Sequence, residues 1–190
     1  PSFMPSAQVT MGGENTVQKT EMRLKKALCG VGAHECIHYS FFSPSDLDLL
    51  RLPEDAVERN AIRIMNPISE ELSLMRTTLA ASMINAVVRN QKKGNMEGRL
   101  FEIAKKFIPK ELPLTEYPDE RQTLCVTVFG EKESFFTLKG IAETVAKTLH
   151  VEFSYTNGAK TFYEACQSFW FVRMLLQVES SGHSISPGRF

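Results

Sequence analysis

No stretch of this sequence is long and apolar enough to span a bilayer. The longest candidate, Phe169 to Leu176, carries Arg173 in its middle and falls well short of the roughly 20 apolar residues a crossing helix needs. No sign of charge prevails, because 22 basic residues meet 22 acidic ones. That balance excludes a bulk electrostatic footprint for nucleic acid or an acidic membrane surface and leaves protein partners as the expectation. Cysteine is sparse, and Cys29, Cys36, Cys125 and Cys166 lack paired spacing. They read as small hydrophobes in a reducing, cytosolic compartment rather than as a disulfide framework. A Gly-rich phosphate loop, an ordered Ser/His/Asp set and a clustered carboxylate pair are also missing, which removes the usual signatures of nucleotide hydrolysis, acyl transfer and glycoside cleavage.

What is present fits one domain over residues 1–190, a length able to bury roughly 70% of its unfolded surface without a disulfide or structural metal. Pro1, Pro5, Gly12 and Gly13 make residues 1–13 an extended lead-in. Glu14 to Cys29 reads as a helix with Val17, Glu21, Leu24 and Leu28 on one face and Gly30 as its stop. Val31 to Ser43 follows as a strand rich in aromatics, and Ser43-Pro44-Ser45-Asp46 opens a short helix with Leu47, Leu49, Leu50 and Leu52 as its apolar face. Pro53 to Asp55 turns the chain, and Ala61 to Met65 is a strand ended by Asn66-Pro67.

The stretch from Asn66 to Phe107 organises the rest. Ser69 is placed to cap a turn that Glu70 and Glu71 suit electrostatically. A helix from Thr78 carries Leu79, Met83, Ile84, Val87 and Val88 on one stripe and stops at Gly94 beside Lys92 and Lys93. Leu100 to Phe107 then alternates Phe101, Ile103 and Phe107 with Glu102 and Lys106, as a half-buried strand would. Prolines 109, 113 and 118 make residues 108–122 a loop before a strand from Thr123 to Phe129. Phe135 to Leu149 is a helix with Leu138, Ile141, Val145 and Leu149 inward and Lys139 solvated. Val151 to Tyr155 is a strand turned by Asn157-Gly158, and Phe162 to Glu179, apolar on most faces, fits a buried helix.

One motif is a trap. His34-Glu35-Cys36-Ile37-His38 is a literal match to the zinc-protease pattern His-Glu-x-x-His. A zinc hydrolase built on His34, Glu35 and His38 needs a helix there, so that both imidazoles reach one ion. Gly30 and Gly32 upstream and Tyr39-Ser40-Phe41-Phe42 downstream favour a strand, in which His34 and His38 stand about 13 Å apart. The two histidines are therefore read as polar strand residues.

The spelling of several blocks is specific. Asn66-Pro67-Ile68-Ser69-Glu70-Glu71, Met75-Arg76-Thr77-Thr78-Leu79 and Arg99-Leu100-Phe101-Glu102-Ile103 resemble the catalytic-like module in the beta chain of bacterial phenylalanine–tRNA ligase, with Ala104 where that family has glycine. Gly32 to Phe41 resembles its Gly-Phe-x-Glu-Val-x-x-Tyr-Ser-Phe, matching at Glu35, Tyr39, Ser40 and Phe41, and Phe135 to Gly140 resembles its Phe-Phe-x-Leu-Lys-Gly. Ser186-Pro187-Gly188-Arg189 is similar to its His-Pro-Gly-Arg turn, with serine for histidine. The resemblance implies an α+β fold with an antiparallel sheet flanked by helices, like class II aminoacyl-tRNA synthetases, and a fragment whose domain is cut short at its C-terminal end. It implies a non-catalytic module that supports ATP-dependent attachment of phenylalanine to tRNA by packing against the catalytic alpha chain in a cytoplasmic tetramer of two alpha and two beta chains. The helix from Glu14 and the strand from His34 would form that contact, and tRNA would meet the full assembly. No catalytic, cofactor-binding or metal-binding residue is expected here. The parent enzyme uses ATP and magnesium, but Arg99 stands one residue too far from Glu102 for the family's Phe-Arg-x-Glu element, and Arg189 follows a single glycine. A free-standing inactive paralogue with a regulatory binding role is the alternative.

Overall fold

The structure, a computed structural model, describes residues 3, 4, 6, 8, 9 and 11–151, together with the backbone of 172–179. The first helix, α1 (Thr16–Gly30), starts where Asn15 accepts the Gln18 amide proton and Gln18 returns a side-chain bond to the Asn15 amide, a reciprocal cap that satisfies two free donors. Leu24 and Leu28 are its buried residues. Val17, placed on the same face by the sequence pattern, is exposed. The strand expected over Val31–Ser43 is split into β1 (His34–Glu35) and β2 (Phe41–Phe42). The helix α2 (Pro44–Leu49) begins at Ser43, with proline at its start and a reciprocal cap to Asp46. Next come β3 (Leu74–Met75), α3 (Ala80–Lys92), β4 (Gly98–Ile108), β5 (Asp119–Phe129), α4 (Phe135–Leu149) and β6 (Val172–Glu179).

Among the described residues, four strands form the main sheet in the order β1-β4-β5-β6. Its pairs are antiparallel except at the edge, where β1 runs parallel to β4 with His34 opposite Leu100. The period-2 alternation of a strand sends its side chains to opposite faces, and here both faces are covered. Phe101, Leu124, Val126 and Val128 meet Leu24 and Leu28 of α1 and Leu138, Ile141 and Val145 of α4. On the other face Leu100, Cys125 and Phe129 meet Leu79, Met83, Ile84 and Val87 from α3, with Leu50 beside them. Asn85 of α3 also donates to Asp46 of α2 at 3.0 Å. Positive φ favours glycine at the turns that flank the β4–β5 hairpin. Gly94 ends α3 at φ +88, and Gly130, at φ +113, lies so close to Glu97 that a Cβ there would stand 2.5 Å from the Glu97 Cβ.

Several expectations are corrected. Ala61–Met65 makes no named strand: its ladder is one bridge, Arg63 to Leu74, because β3 opposite it is only two residues long. Ser69 caps the 3-10 turn Glu70–Leu72 through its carbonyl, which accepts from the Leu72 amide, and not through its hydroxyl. The proline-rich loop is confined to 109–118, since the strand begins at Asp119 and pairs with β4 along its full length. Residues 172–179, expected in a buried helix, are strand β6 on the free side of β5. An apolar run of that length does not by itself separate a buried helix from a buried strand. The Asn157-Gly158 hairpin, residues 162–171 of the expected helix and the turn at Ser186–Arg189 lie outside the described residues.

Candidate partner-binding site

The β4 strand carries the largest departure from the half-buried pattern. Glu102 and Lys106, expected in water, are both buried, because the face they occupy is roofed by α3 and by the chain leading into it. A buried carboxylate needs partners, and Glu102 has two. Arg76 donates from Nη1 to Glu102 Oε1 at 3.0 Å, and His38 Nδ1 lies 2.8 Å from Oε2. The His38 main-chain amide also donates to Oε1 at 3.3 Å. Burial pushes the Glu102 carboxyl up, but the His38 hydrogen bond and charge, together with Arg76, outweigh it and hold the group below its ordinary value.

Arg76 is the hub. It follows β3, and its backbone sits between two chain segments: its amide donates to Ser40 O at 3.0 Å, while its carbonyl accepts from the Phe107 amide at 2.9 Å. Its guanidinium also bonds two main-chain carbonyls, Nε to Lys105 O at 2.8 Å and Nη1 to Tyr39 O at 3.2 Å. A planar fork of fixed donors suits this work better than an ammonium would. The two residues after it, Thr77 and Thr78, are buried as well, and the Thr78 hydroxyl accepts from the Ala80 amide where α3 begins.

The result is a shaped edge. Parallel pairing of β1 with β4 ends after the Cys36 amide donates to Phe101 O at 2.7 Å. Residues 37–39 make no ladder with β4, and Glu102 and Arg76 take the place of strand partners. Cys36 and His38 point in; burial and then the Glu102 charge push the Cys36 thiol up, which keeps it an inert filler. Ile37 and Tyr39 alternate with them and are 89% and 69% exposed. Tyr39 stacks on Phe41 with ring centroids 6.5 Å apart, and Lys25 of α1 braces the start of the edge through Glu35 at 2.7 Å.

The remaining sequence candidates do not join this site. His34 and Glu35 lie in an extended strand, so the helical spacing of the zinc pattern does not arise; among the described residues no three His, Cys, Asp or Glu side chains converge on a metal position. His38 is not the simple polar strand residue expected, since its ring is committed to Glu102. Arg99 bonds Glu133 at 2.8 Å and Val31 O at 2.8 Å, tying β4 to the turn before α4 and to the end of α1. Lys139 is on the surface of α4, 3.8 Å from Glu143. The spacing of Arg76, Glu102 and His38 has no local periodicity, so pattern reading missed the group. The one signal was that the resemblance matched Arg76 and Glu102 in separate blocks.

Comparison with known proteins agrees with this architecture. The family model described as the phenylalanyl tRNA synthetase beta chain CLM domain matches residues 1–173. The phenylalanine–tRNA ligase beta subunit of Clostridium tetani is 38% identical over 152 residues, covering 80% of this chain and 19% of that protein. The beta subunit of Clostridium acetobutylicum is 36% identical over 151 residues, with the same shares of 80% and 19%. The chain thus spans 19% of the length of these curated relatives. Among solved structures, a pyrrolysyl-tRNA synthetase from Desulfitobacterium hafniense aligns with a TM-score of 0.61 at 17% identity, over 90% of this chain and 57% of that one. A second structure from the same organism gives 0.60 at 18%, over 76% and 49%. At these identities the likeness shows the fold, a class II synthetase-like mixed sheet flanked by helices.

Proposed function

Since the chain belongs to the phenylalanyl-tRNA synthetase beta chain CLM-domain family, we propose that it serves phenylalanine–tRNA ligase as a non-catalytic, partner-binding module, docking on the alpha chain through α1 and the edge at 34–41. The observation that carries this is the edge itself: Ile37 and Tyr39 stand in solvent over a buried polar network that fixes their backbone. Exposed apolar residues on a rigid support suit a protein interface. On this reading the assembly is a cytoplasmic tetramer of two alpha and two beta chains, with tRNA met by the whole assembly and residues 1–190 acting as one domain.

The ATP and magnesium of the parent enzyme belong to the alpha chain in this reading. Triphosphate binding calls for guanidinium groups free to hold phosphate oxygens and offset developing charge. Among the described residues, Arg76 is buried against Glu102 and Arg99 is engaged by Glu133 and Val31, so these two do not fit that task. No step of the reaction is assigned to this domain.

The test mixes the full-length beta chain that carries this domain with its alpha chain. Association is followed by sedimentation, and phenylalanine-dependent ATP–pyrophosphate exchange is measured for each chain alone and together. Association with exchange only in the mixture is the expected result. Exchange by the beta chain alone would overturn the non-catalytic role, and no association would point instead to a free-standing paralogue.

A further inference from the structure

Residues 37–39 alternate in exposure like a strand but, among the described residues, lack a strand neighbour on the inner side, where the chain at Arg76 bonds Ser40 on one side and Phe107 of β4 on the other. Three side-chain bonds replace the missing ladder: two from His38, through its amide and its ring, and one from Arg76 to Tyr39 O. All of them involve Glu102 or its partner Arg76, and both of those are buried and fixed. His38 is the member that belongs to the edge itself, with its side chain only 12% exposed. Its neighbours Ile37 and Tyr39 point the other way.

We propose that His38 is a positioning residue for the partner interface: its two bonds to Glu102 latch residues 36–40 onto the sheet in the shape that presents Ile37 and Tyr39. The latch acts before any partner arrives, so ordering of the edge is not left to the moment of binding. An edge ordered in advance binds more tightly than one that must be ordered on contact. The ring needs a donor at Nδ1 to complete the carboxylate bond. The inference rests on the proposed docking of this edge for its consequence, but not for the latch itself.

The test uses the full-length beta chain carrying His38→Ala or His38→Asn, with the alpha chain as partner. Asparagine offers an amide donor at nearly the position of Nδ1, while alanine offers none. Hydrogen–deuterium exchange of the peptide covering residues 36–40 reads the latch directly in the absence of partner. His38→Ala should speed that exchange about tenfold, the effect of losing one hydrogen bond to a charged group, and weaken association with the alpha chain by a similar factor. His38→Asn should restore much of both. Unchanged exchange in His38→Ala overturns the latch. Faster exchange with unchanged association overturns its role at the interface, and equal loss in both variants overturns the donor role of the ring. Failure of the unsubstituted chains to associate would sink the docking proposal and with it the interface role, leaving the exchange measurement to decide whether the latch exists.

Discussion

The β4–β5 hairpin and the edge at residues 36–40 lie side by side and are held by different means. The hairpin pairs Gly98–Ile108 with Asp119–Phe129 residue for residue, so its backbone groups satisfy one another and its side chains only have to pack. The edge has one backbone bond to β4, at Cys36, and then depends on Glu102, Arg76 and His38. A ladder spreads its stability over many weak bonds. The edge concentrates it in a few charged groups out of water, where removing one partner strands another.

The largest expected effect tests that difference. Arg76→Ala leaves Glu102 buried with an unbalanced charge and frees the carbonyls of Tyr39 and Lys105, and should cost about 3–5 kcal/mol in denaturant unfolding. A double variant, Arg76→Met with Glu102→Leu, should recover most of that loss, because an apolar pair avoids the desolvation of two charges. It should not recover the order of residues 36–40. A double variant as unstable as Arg76→Ala would show that the network is needed for folding as well as for shape.

The same contrast explains what the sequence made readable. The helices α1, α2, α3 and α4 followed from caps, glycine stops and apolar stripes that all lie within a few residues of one another. The strands β4 and β5 followed from alternation and turn residues, with only their ends displaced. Glu102 was misjudged because a charged residue in an alternating pattern reads as solvent-facing, and its partners come from 26 and 64 residues away. The segment at 172–179 was misjudged for another reason: a continuous apolar run shows no period that tells helix from strand. Of the candidate site, Arg76 and Glu102 stood in blocks matched to the family, and His38 stood at an unmatched position of the Gly32–Phe41 block, where it was read as a polar strand residue.

On the hairpin side, the sensitive position is a turn rather than a charge. Gly130→Ala places a Cβ against Glu97 in a backbone conformation at φ +113 that side chains rarely adopt, and should cost about 2 kcal/mol. A cost under about half of that in denaturant unfolding would mean that the β5–α4 turn yields more than its close approach suggests.

Acid should separate the two regions next. The folded Glu102 carboxyl titrates below its ordinary value of 4.5, so the stability it contributes is fully present above that value. It is lost as pH falls through the lower folded pKa. Glu102→Gln cannot gain this proton, so its unfolding midpoint should fall less steeply below pH 4.5 than that of the unsubstituted chain. Parallel pH profiles would show that Glu102 gains nothing from His38 and Arg76 beyond what burial takes away.

The smallest effect belongs to an ion pair that looks better than the one at the centre of the edge. Lys105 Nζ stands 2.7 Å from Glu120 across the hairpin, closer than the 3.0 Å between Arg76 and Glu102. Both side chains of the hairpin pair are about half exposed, however, so water and salt compete for each of them. Lys105→Ala should therefore change stability by less than about 0.5 kcal/mol, and added salt should shrink even that difference. The Lys105 main-chain carbonyl, which accepts from Arg76, is retained in this variant, so any larger loss must come from the side chain. A loss above about 1 kcal/mol would mean that the hairpin, too, relies on a charged contact and that the contrast between ladder and latch is drawn too sharply. If the loss stays small, burial and the number of fixed partners rank these two ion pairs, and their lengths do not.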